Sequence, residues 1–475
     1  MRLRHSLFLL LLVLAAAAAP DASAQVGLRE TFGDGDNGIV GGIGRGTELQ
    51  RKIVDLQAYP LARCNDNTPA IFYFRPASRA ADADKWLIHL QGGGSCVSGL
   101  NCAERWFSVN TNFGARNMTG EGFPAGANDD GIFNDAKGQN PFAHYNQVYV
   151  HYCSSDVWGG TAADVVLTGF DFGALARGEQ ACTQEYTISF LGRRIFDAVI
   201  GTLRRDGVPP LVFNIDGGPP RLMPDLDAAG EVVLSGGSAG GGGVINSLDH
   251  LQGTLPRAQV VGITDSAFRP PKDGMDLSQT RLCVNQGACT PDAQNRWDFA
   301  EGPFAVWGAL GGTDASCLNY HAADPHQCAD SRHVLTDHVL TPYFVRMDLL
   351  DKGAVEDYQN DNIFMAGTPD PYPSTPEHEP LTKREFAEVS RAGILALASP
   401  RRAAHETAGF TPGAFAPACG EHDELRDDDG VYKTAVRWRG GKRLGMFAVF
   451  EAWRAGRNPA ILAAESETDS VCPRD

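Results

Sequence analysis

The sequence predicts an α/β fold: a mainly parallel sheet with helices on both faces and long loop insertions. Three observations predict it. Short apolar runs recur along the chain without the in–out alternation of half-exposed strands, the pattern of a sheet covered on both faces. Stretches with helical spacing of apolar residues lie between these runs. The 54 Gly and 28 Pro in 475 residues require extensive loops. A content of 43% hydrophobic and 21% charged residues suits a folded core and excludes wholesale disorder.

Taken in order, Ala70 to Arg75, Trp86 to Gln91, Gln147 to Tyr152, Glu231 to Ser235, Gln259 to Thr264 and Pro342 to Met347 read as short buried strands. The clearest helix runs from Gln184 to Arg205. Ile188, Leu191, Ile195, Val199 and Leu203 fall on one of its faces, and Asp206-Gly207 closes it. A second helix is expected over Gly243 to Leu251. Segments 208–229, 268–312 and 357–410 are rich in Pro, Gly or aromatic residues and read as insertions of the kind that form lids or substrate walls. One domain, residues 25–475, is expected to carry all of these elements.

The first 24 residues have the three-part build of a secretory signal peptide. Arg2 and Arg4 precede the apolar run Leu7 to Ala19, and Ala22-Ser23-Ala24 offers a small-residue cleavage site. No later run is long and apolar enough to span a membrane, so a secreted, periplasmic or extracellular protein with no stable membrane span is expected. A net charge of −17 argues against nucleic acid as a partner, because phosphate binding needs clustered cations. Export places the 11 cysteines in an oxidising compartment, where disulfides form. Cys96 with Cys102, Cys283 with Cys289 and Cys317 with Cys328 are close in sequence, and the odd count leaves at least one thiol. No CxxC pair with matching His spacing occurs, so no metal site is expected. Asp34-Gly35-Asp36-Asn37-Gly38 starts like a calcium loop but lacks the later ligands.

The sharpest motif is Val232-Val233-Leu234-Ser235-Gly236-Gly237-Ser238-Ala239-Gly240-Gly241. An apolar strand runs through Gly-x-Ser-x-Gly into a helix, the context of a nucleophile elbow. A serine on that strained turn needs small neighbours, and the helix start offers backbone N–H groups to a developing oxyanion, that of Ala239 first. A phosphate loop is excluded, since no Gly-Lys-Ser/Thr ending follows. Serine needs a general base. In the Ser–acid–His order of such enzymes the acid follows a late strand, here Pro342 to Met347, with Asp348 and Asp351 just beyond. His378, His405 and His422 lie further on, and spacing does not choose among them. The strand Trp86 to Gln91 ends in Gly92-Gly93-Gly94, glycines that let backbone N–H groups approach a substrate oxygen. Trp158, after the strand Gln147 to Tyr152, is a candidate for stacking on substrate. His89 and His151, on buried strands, read as core histidines.

These residues resemble the pectin acetylesterase and Notum carboxylesterase family. The resemblance rests on Leu90-Gln91-Gly92-Gly93-Gly94-Ser95-Cys96 with Asn101-Cys102 and Arg105; on Tyr152-Cys153-Ser154-Ser155-Asp156-Val157-Trp158-Gly159-Gly160; on Leu234 to Gly241; on Phe415-Ala416-Pro417-Ala418-Cys419-Gly420-Glu421-His422; and more weakly on Cys64 to Ala70. It implies an α/β-hydrolase-like fold and a triad of Ser238, Asp351 and His422. It places the oxyanion donors at Gly93, Gly94 and Ala239, and Asp265 beside the site. It also implies Cys64–Cys153, Cys96–Cys102 and Cys419–Cys472 disulfides; with Cys283–Cys289 and Cys317–Cys328 also paired, the count leaves Cys182 over. Gly94-Ser95 stands where the Notum branch has Trp-Tyr, and the plant acetylesterases lack Ser-Ser-Asp-Val-Trp, so neither branch's substrate carries over.

The reading is a secreted serine carboxylic-ester hydrolase acting without a cofactor. The expected substrate is an ester, foremost an acetylated polysaccharide. The alternatives are a lipid or protein O-deacylase preferring longer chains, a non-catalytic binding protein on a hydrolase scaffold, and a serine peptidase.

Overall fold

The computed structural model describes residues 48–107, 118–127, 130–134, 138–170, 183–214, 219–268, 302–354, 383–398 and 410–473. The signal segment, Asp34 to Gly38, Cys182, Cys283, Cys289, His378 and His405 lie outside these residues, as do most of the second and third expected insertions.

The strands that position the site are β1 (Leu49–Ile53), β2 (Ile71–Arg75), β3 (Lys85–Leu90), β4 (Gly126–Ala127), β5 (Asn146–Val150), β6 (Ala162–Phe170), β7 (Thr183–Phe190), β8 (Glu231–Gly237), β9 (Gln259–Asp265), β10 (Tyr343–Arg346), β11 (Gly413–Ala416) and β12 (Ile461–Ala463). The helices that bear on the site and its surroundings are α1 (Gly99–Phe107), α2 (Gly192–Leu203), α3 (Ala239–Thr254), α4 (Ala315–Tyr320), α5 (Ser331–Asp337), α6 (Lys383–Ala396) and α7 (Met446–Arg454).

Ten of the strands form one sheet in the order β12-β11-β10-β9-β8-β3-β5-β2-β1-β4. From β12 to β5 the pairing is parallel; β2, β1 and β4 complete the sheet antiparallel. The mainly parallel sheet predicted from the apolar runs is therefore present, and all six expected strands belong to it. Their side chains are buried throughout the centre: Val232, Val233 and Leu234 of β8 and Val260 and Ile263 of β9 are inaccessible to solvent. The central strand β8 lies between β3 and β9, with Leu234 opposite Ile88 and Gly262. The carboxyl ends of β3, β8, β9 and β10 therefore open at one edge of the sheet, where ligands bind in open α/β folds.

The expected helix over Gln184 to Arg205 is only half right. Its first part is β7, paired antiparallel with β6 through Leu167–Tyr186 and Val165–Ile188, and only Gly192–Leu203 is helical. Tyr186 and Ile188 are buried with exposed Thr187 between them, and the ladder to β6 runs through Phe190, so the period of two prevails over the coincident helical spacing; Ser189 is buried too. Strands β11 and β12, of four and three residues, are too short to leave a periodic signal.

The structure pairs Cys64 with Cys153, Cys96 with Cys102, Cys317 with Cys328 and Cys419 with Cys472. Among the described residues no helix is long and apolar enough to cross a membrane.

Candidate active site

Ser238 stands between β8 and α3 at φ 52° and ψ −122°. A non-glycine residue adopts that backbone only where its surroundings impose it. Here the Ser238 N–H donates to the Asp265 carbonyl at 2.9 Å, and the turn is packed too tightly for side chains. A Cβ added at Gly240 would stand 2.0 Å from the Leu90 carbonyl oxygen. The turn sets Ser238 at the amino end of a 16-residue helix, where N–H groups point outward and favour negative charge.

The loop after β3 passes beside the serine. A Cβ on Gly92 would stand 3.1 Å from Ser238 Cβ and 2.8 Å from Asp423 Oδ2, so this loop, the serine and the residue after His422 meet at one place. Gly93 and Gly94 have φ of 145° and 66°, values that suit glycine. The carbonyls of the loop are held from the protein side. Trp158 Nε1 donates to Gln91 O at 3.1 Å, Arg105 Nη2 donates to Gly93 O, and the Tyr152 hydroxyl donates to Gly94 O at 2.9 Å. The Gln91 side chain is fixed in turn: its oxygen accepts from the Tyr152 N–H at 3.0 Å and lies 2.8 Å from His151 Nδ1. In a trans peptide a pinned carbonyl turns the N–H of the next residue the opposite way, so the tether on Gly93 O directs the Gly94 N–H away from Arg105.

Arg105 also donates from Nε to Ser155 Oγ at 2.8 Å. Burial lowers its guanidinium to about 10, with Tyr152 and Asp156 opposing, so it stays cationic at neutral pH. The segment that supplies Ser155 is strained: Ser155, Val157 and Trp158 all have φ between 52° and 61°. Asp156 holds it. One oxygen accepts from Ser154 Oγ at 2.7 Å and from the Trp158 N–H at 3.1 Å, and the other accepts from the Gly192 N–H at 2.7 Å. Burial pushes this carboxyl up to about 6 despite those bonds.

His422 lies in the loop after β11, and Asp351 in the loop after β10. Nδ1 of His422 is 2.8 Å from Asp351 Oδ1, and Asp351 is fully buried while the imidazole is 23% exposed. The Ala354 N–H also donates to Asp351, at 2.8 Å. Burial raises the Asp351 carboxyl, but His422, Ser266 and the Ala354 N–H outweigh it and hold it below the usual carboxylate range. The two loops run together: Leu349, Leu350 and Lys352 N–H groups donate to the carbonyls of Pro417, Cys419 and Gly420 at 2.8–3.1 Å. The Cys419–Cys472 disulfide braces the same segment.

Asp348, the other acid in the sequence, is not on the histidine. It faces Arg346 Nη2 at 2.7 Å and accepts from the Glu421 N–H at 2.9 Å. Burial raises it to about 7, with Arg346 opposing and Asp351 and Asp265 adding to the rise. The expectation that Asp265 and Trp158 meet substrate needs correction, because both are fully buried. Asp265 accepts from Arg346 and from the Leu425 N–H, both at 3.0 Å. Trp158 packs its indole beneath the loop after β3, bonded to the Gln91 carbonyl and 5.3 Å from the Tyr152 ring. Each supports the site from beneath. His89 and His151 are core residues, His89 lying 3.0 Å from Ser235 Oγ and stacked on Tyr149.

Two supporting residues were missed in the sequence. Ser266 accepts from the Asp423 N–H at 3.0 Å, tying the end of β9 to the His422 loop. Arg346, fully buried, pairs with both Asp265 and Asp348. A charge at the end of the apolar run Tyr343-Phe344-Val345 was the signal for it, because a buried cation requires paired acids.

The pattern of the family described as pectinacetylesterase matches residues 45–210. Palmitoleoyl-protein carboxylesterase notum1a of Danio rerio is 24% identical over 385 residues, covering 79% of this chain and 61% of the relative. Notum2 of Xenopus laevis, also a palmitoleoyl-protein carboxylesterase, is 30% identical over 234 residues, or 47% of this chain and 39% of the relative. The chain thus spans less than two thirds of the length of these relatives. The solved structure of the Wnt deacylase Notum from Drosophila is similar with a TM-score of 0.57 at 22% identity, covering 89% of this chain and 97% of that one, a likeness that shows the α/β-hydrolase-like fold. The family pattern over residues 45–210, the sequence relatives and the shared fold agree in what they resemble: the chain is similar to the pectinacetylesterases and the Notum carboxylesterases.

Proposed function

We propose that the protein is a secreted carboxylic-ester hydrolase with Ser238 as nucleophile, His422 as general base and Asp351 as the acid that orients it. The observation that carries this reading is the His422–Asp351 contact on the loops beside a serine in elbow geometry. With Nδ1 committed to Asp351, Nε2 takes the Ser238 proton as Oγ attacks the acyl carbonyl. The oxyanion is met by the N–H groups of Gly93, Gly94 and Ala239. His422 then protonates the leaving alcohol, and water, activated by the same histidine, hydrolyses the acyl-enzyme. The four disulfides suit an oxidising compartment.

For the acyl group, the sequence relatives favour a long chain on a protein, since they are named palmitoleoyl-protein carboxylesterases. A structural feature supports the same choice. Val97, Trp106, Val157, Phe304 and Val306 are partly buried apolar residues gathered around the Cys96–Cys102 loop, next to the oxyanion segment. The acetylated polysaccharide keeps only the family description in its favour.

The test is hydrolysis of p-nitrophenyl esters from acetyl through palmitoyl by the mature protein and by Ser238→Ala. Activity that rises with chain length and vanishes in the variant supports the lipid O-deacylase. A maximum at acetyl returns the reading to the acetylesterase. Equal rates in both proteins overturn Ser238 as the nucleophile.

A further inference from the structure

Away from the candidate active site, three histidines converge. His321 follows α4, His333 lies in the first turn of α5, and His338 follows α5. Nε2 of His333 lies 2.9 Å from Nε2 of His321 and 3.3 Å from Nε2 of His338. The three ring centres are 4.9, 5.0 and 5.4 Å apart, with the rings 63–81° to one another. All three side chains therefore aim the same atom at one point.

That spacing is the spacing of a metal site. With zinc–nitrogen bonds of about 2.0–2.1 Å at tetrahedral angles, ligand nitrogens stand roughly 3.3 Å apart and their ring centres roughly 5.2 Å apart. Hydrogen bonding within the trio fits less well. His333 Nδ1 is 3.0 Å from Asp337 Oδ2, which places its proton on Nδ1 and leaves Nε2 one lone pair. One lone pair does not serve two neighbouring N–H groups, whereas a cation accepts a lone pair from each ring. The Asp337 contact is also the arrangement by which a carboxylate orients a metal-bound histidine.

We infer that His321, His333 and His338 bind a divalent transition-metal ion of the zinc type, with Asp337 orienting His333. Cys317 Sγ lies within the same cluster, but it is tied to Cys328, and a disulfide sulfur is not the thiolate that ligates zinc. Water takes the fourth position, on the side where His321 and His333 are half exposed. The ion clips α4 to α5. Helix α5 and the turn after it are in turn fixed to the nucleophile's helix and to the end of β9: Asp249 accepts from the Leu340 and Thr341 N–H groups at 2.9 and 2.8 Å, and Ser331 Oγ donates to Ala267 O at 3.0 Å. The role assigned to the metal is a brace, and the inference does not depend on the ester-hydrolase reading.

The test uses the full mature chain without a polyhistidine tag, prepared without metal resin. Metal content is measured by mass spectrometry, then the chelator-treated protein is titrated with Zn2+ and with Co2+, whose ligand-field absorption reports tetrahedral nitrogen ligation. One ion per chain is expected, with a tetrahedral Co2+ spectrum and a Tm that falls on chelation and returns with Zn2+. His321→Gln and His338→Gln should abolish the spectrum while p-nitrophenyl ester hydrolysis stays within about 2-fold of the parent at low temperature. Asp337→Asn should weaken Zn2+ binding by about 10–100-fold. If His338→Gln fails to fold, His321→Gln and the parent's Co2+ spectrum still decide. A parent that binds no Zn2+ or Co2+, or a Co2+ spectrum unchanged by His321→Gln, overturns the inference.

Discussion

Asp351 Oδ1 lies 2.8 Å and Oδ2 3.0 Å from Nδ1 of His422, across 71 residues of sequence. The contact needs β10 and β11 to run parallel and adjacent, so that the loops beyond them meet. Of the two acids that follow β10, Asp351 is the one at the imidazole, and Asp348 is turned to Arg346.

Asp351→Asn keeps the size of the side chain but loses its charge and leaves the histidine in the wrong tautomer. A fall in kcat of about 10⁴-fold is expected. Asp348→Asn should change kcat far less, because it removes one of the two carboxylates on Arg346 without touching His422. Steady-state kinetics of the two variants check this, and similar kcat losses in both would remove the assignment.

Glu424, buried next to Arg346, provides a pH prediction. Burial pushes its carboxyl up to about 8, against Arg346 and with the help of Asp348, Asp427 and Asp265. A carboxyl raised on folding holds its proton more tightly in the native state. Stability is therefore lost as pH rises from the unfolded value, about 4.3, through the folded one. Glu424→Gln removes that term and should gain at least about 1 kcal/mol over the parent at pH 8 relative to pH 5. Asp351 has the opposite sign. Its carboxyl is depressed, so its contribution is present above about pH 4 and lost as pH falls through the folded value. Urea unfolding of Glu424→Gln, Asp351→Asn and parent at pH 3, 5 and 8 reads both directions.

Gly92→Ala tests the close approach beside the serine. The added methyl would meet Gly237 O at 2.7 Å, besides Ser238 Cβ and Asp423. Displacing the loop moves the Gly93 and Gly94 N–H groups, so kcat should drop by about 10²–10³-fold, the cost of losing an oxyanion donor. Circular dichroism should remain that of the parent. Unchanged kcat would place the oxyanion donors elsewhere.

Arg105→Lys tests whether the loop's carbonyl tether matters for rate. The guanidinium reaches both Gly93 O and Ser155 Oγ, which a single ammonium does not replicate. A kcat lower by roughly 10–100-fold with KM changed less is expected, because binding energy realised only in the transition state is lost. An effect confined to KM would instead mark Arg105 as a binding residue.

Local chemistry along the chain was enough to establish the fold class, the central strands and the elbow. Continuous apolar runs mean covered strands, and Gly-x-Ser-x-Gly between a strand and a helix is needed wherever a serine sits on a strained turn. Everything that depends on residues distant in the chain had to wait for the folded molecule. The antiparallel β6–β7 pairing overruled a helical reading of Tyr186 and Ile188, because alternation and helical spacing share those positions until a partner strand settles them. The resemblance had already named Asp351; the folded molecule adds that Asp351 contacts His422 while Asp348 is turned to Arg346. Trp158 and Asp265, expected at the substrate, proved buried supports, since motif position does not tell which way a side chain points. The convergence of His321, His333 and His338 was invisible for the same reason: their separations match no familiar ligand spacing, and only the folding of α4, α5 and the turns after them brings three rings toward one point.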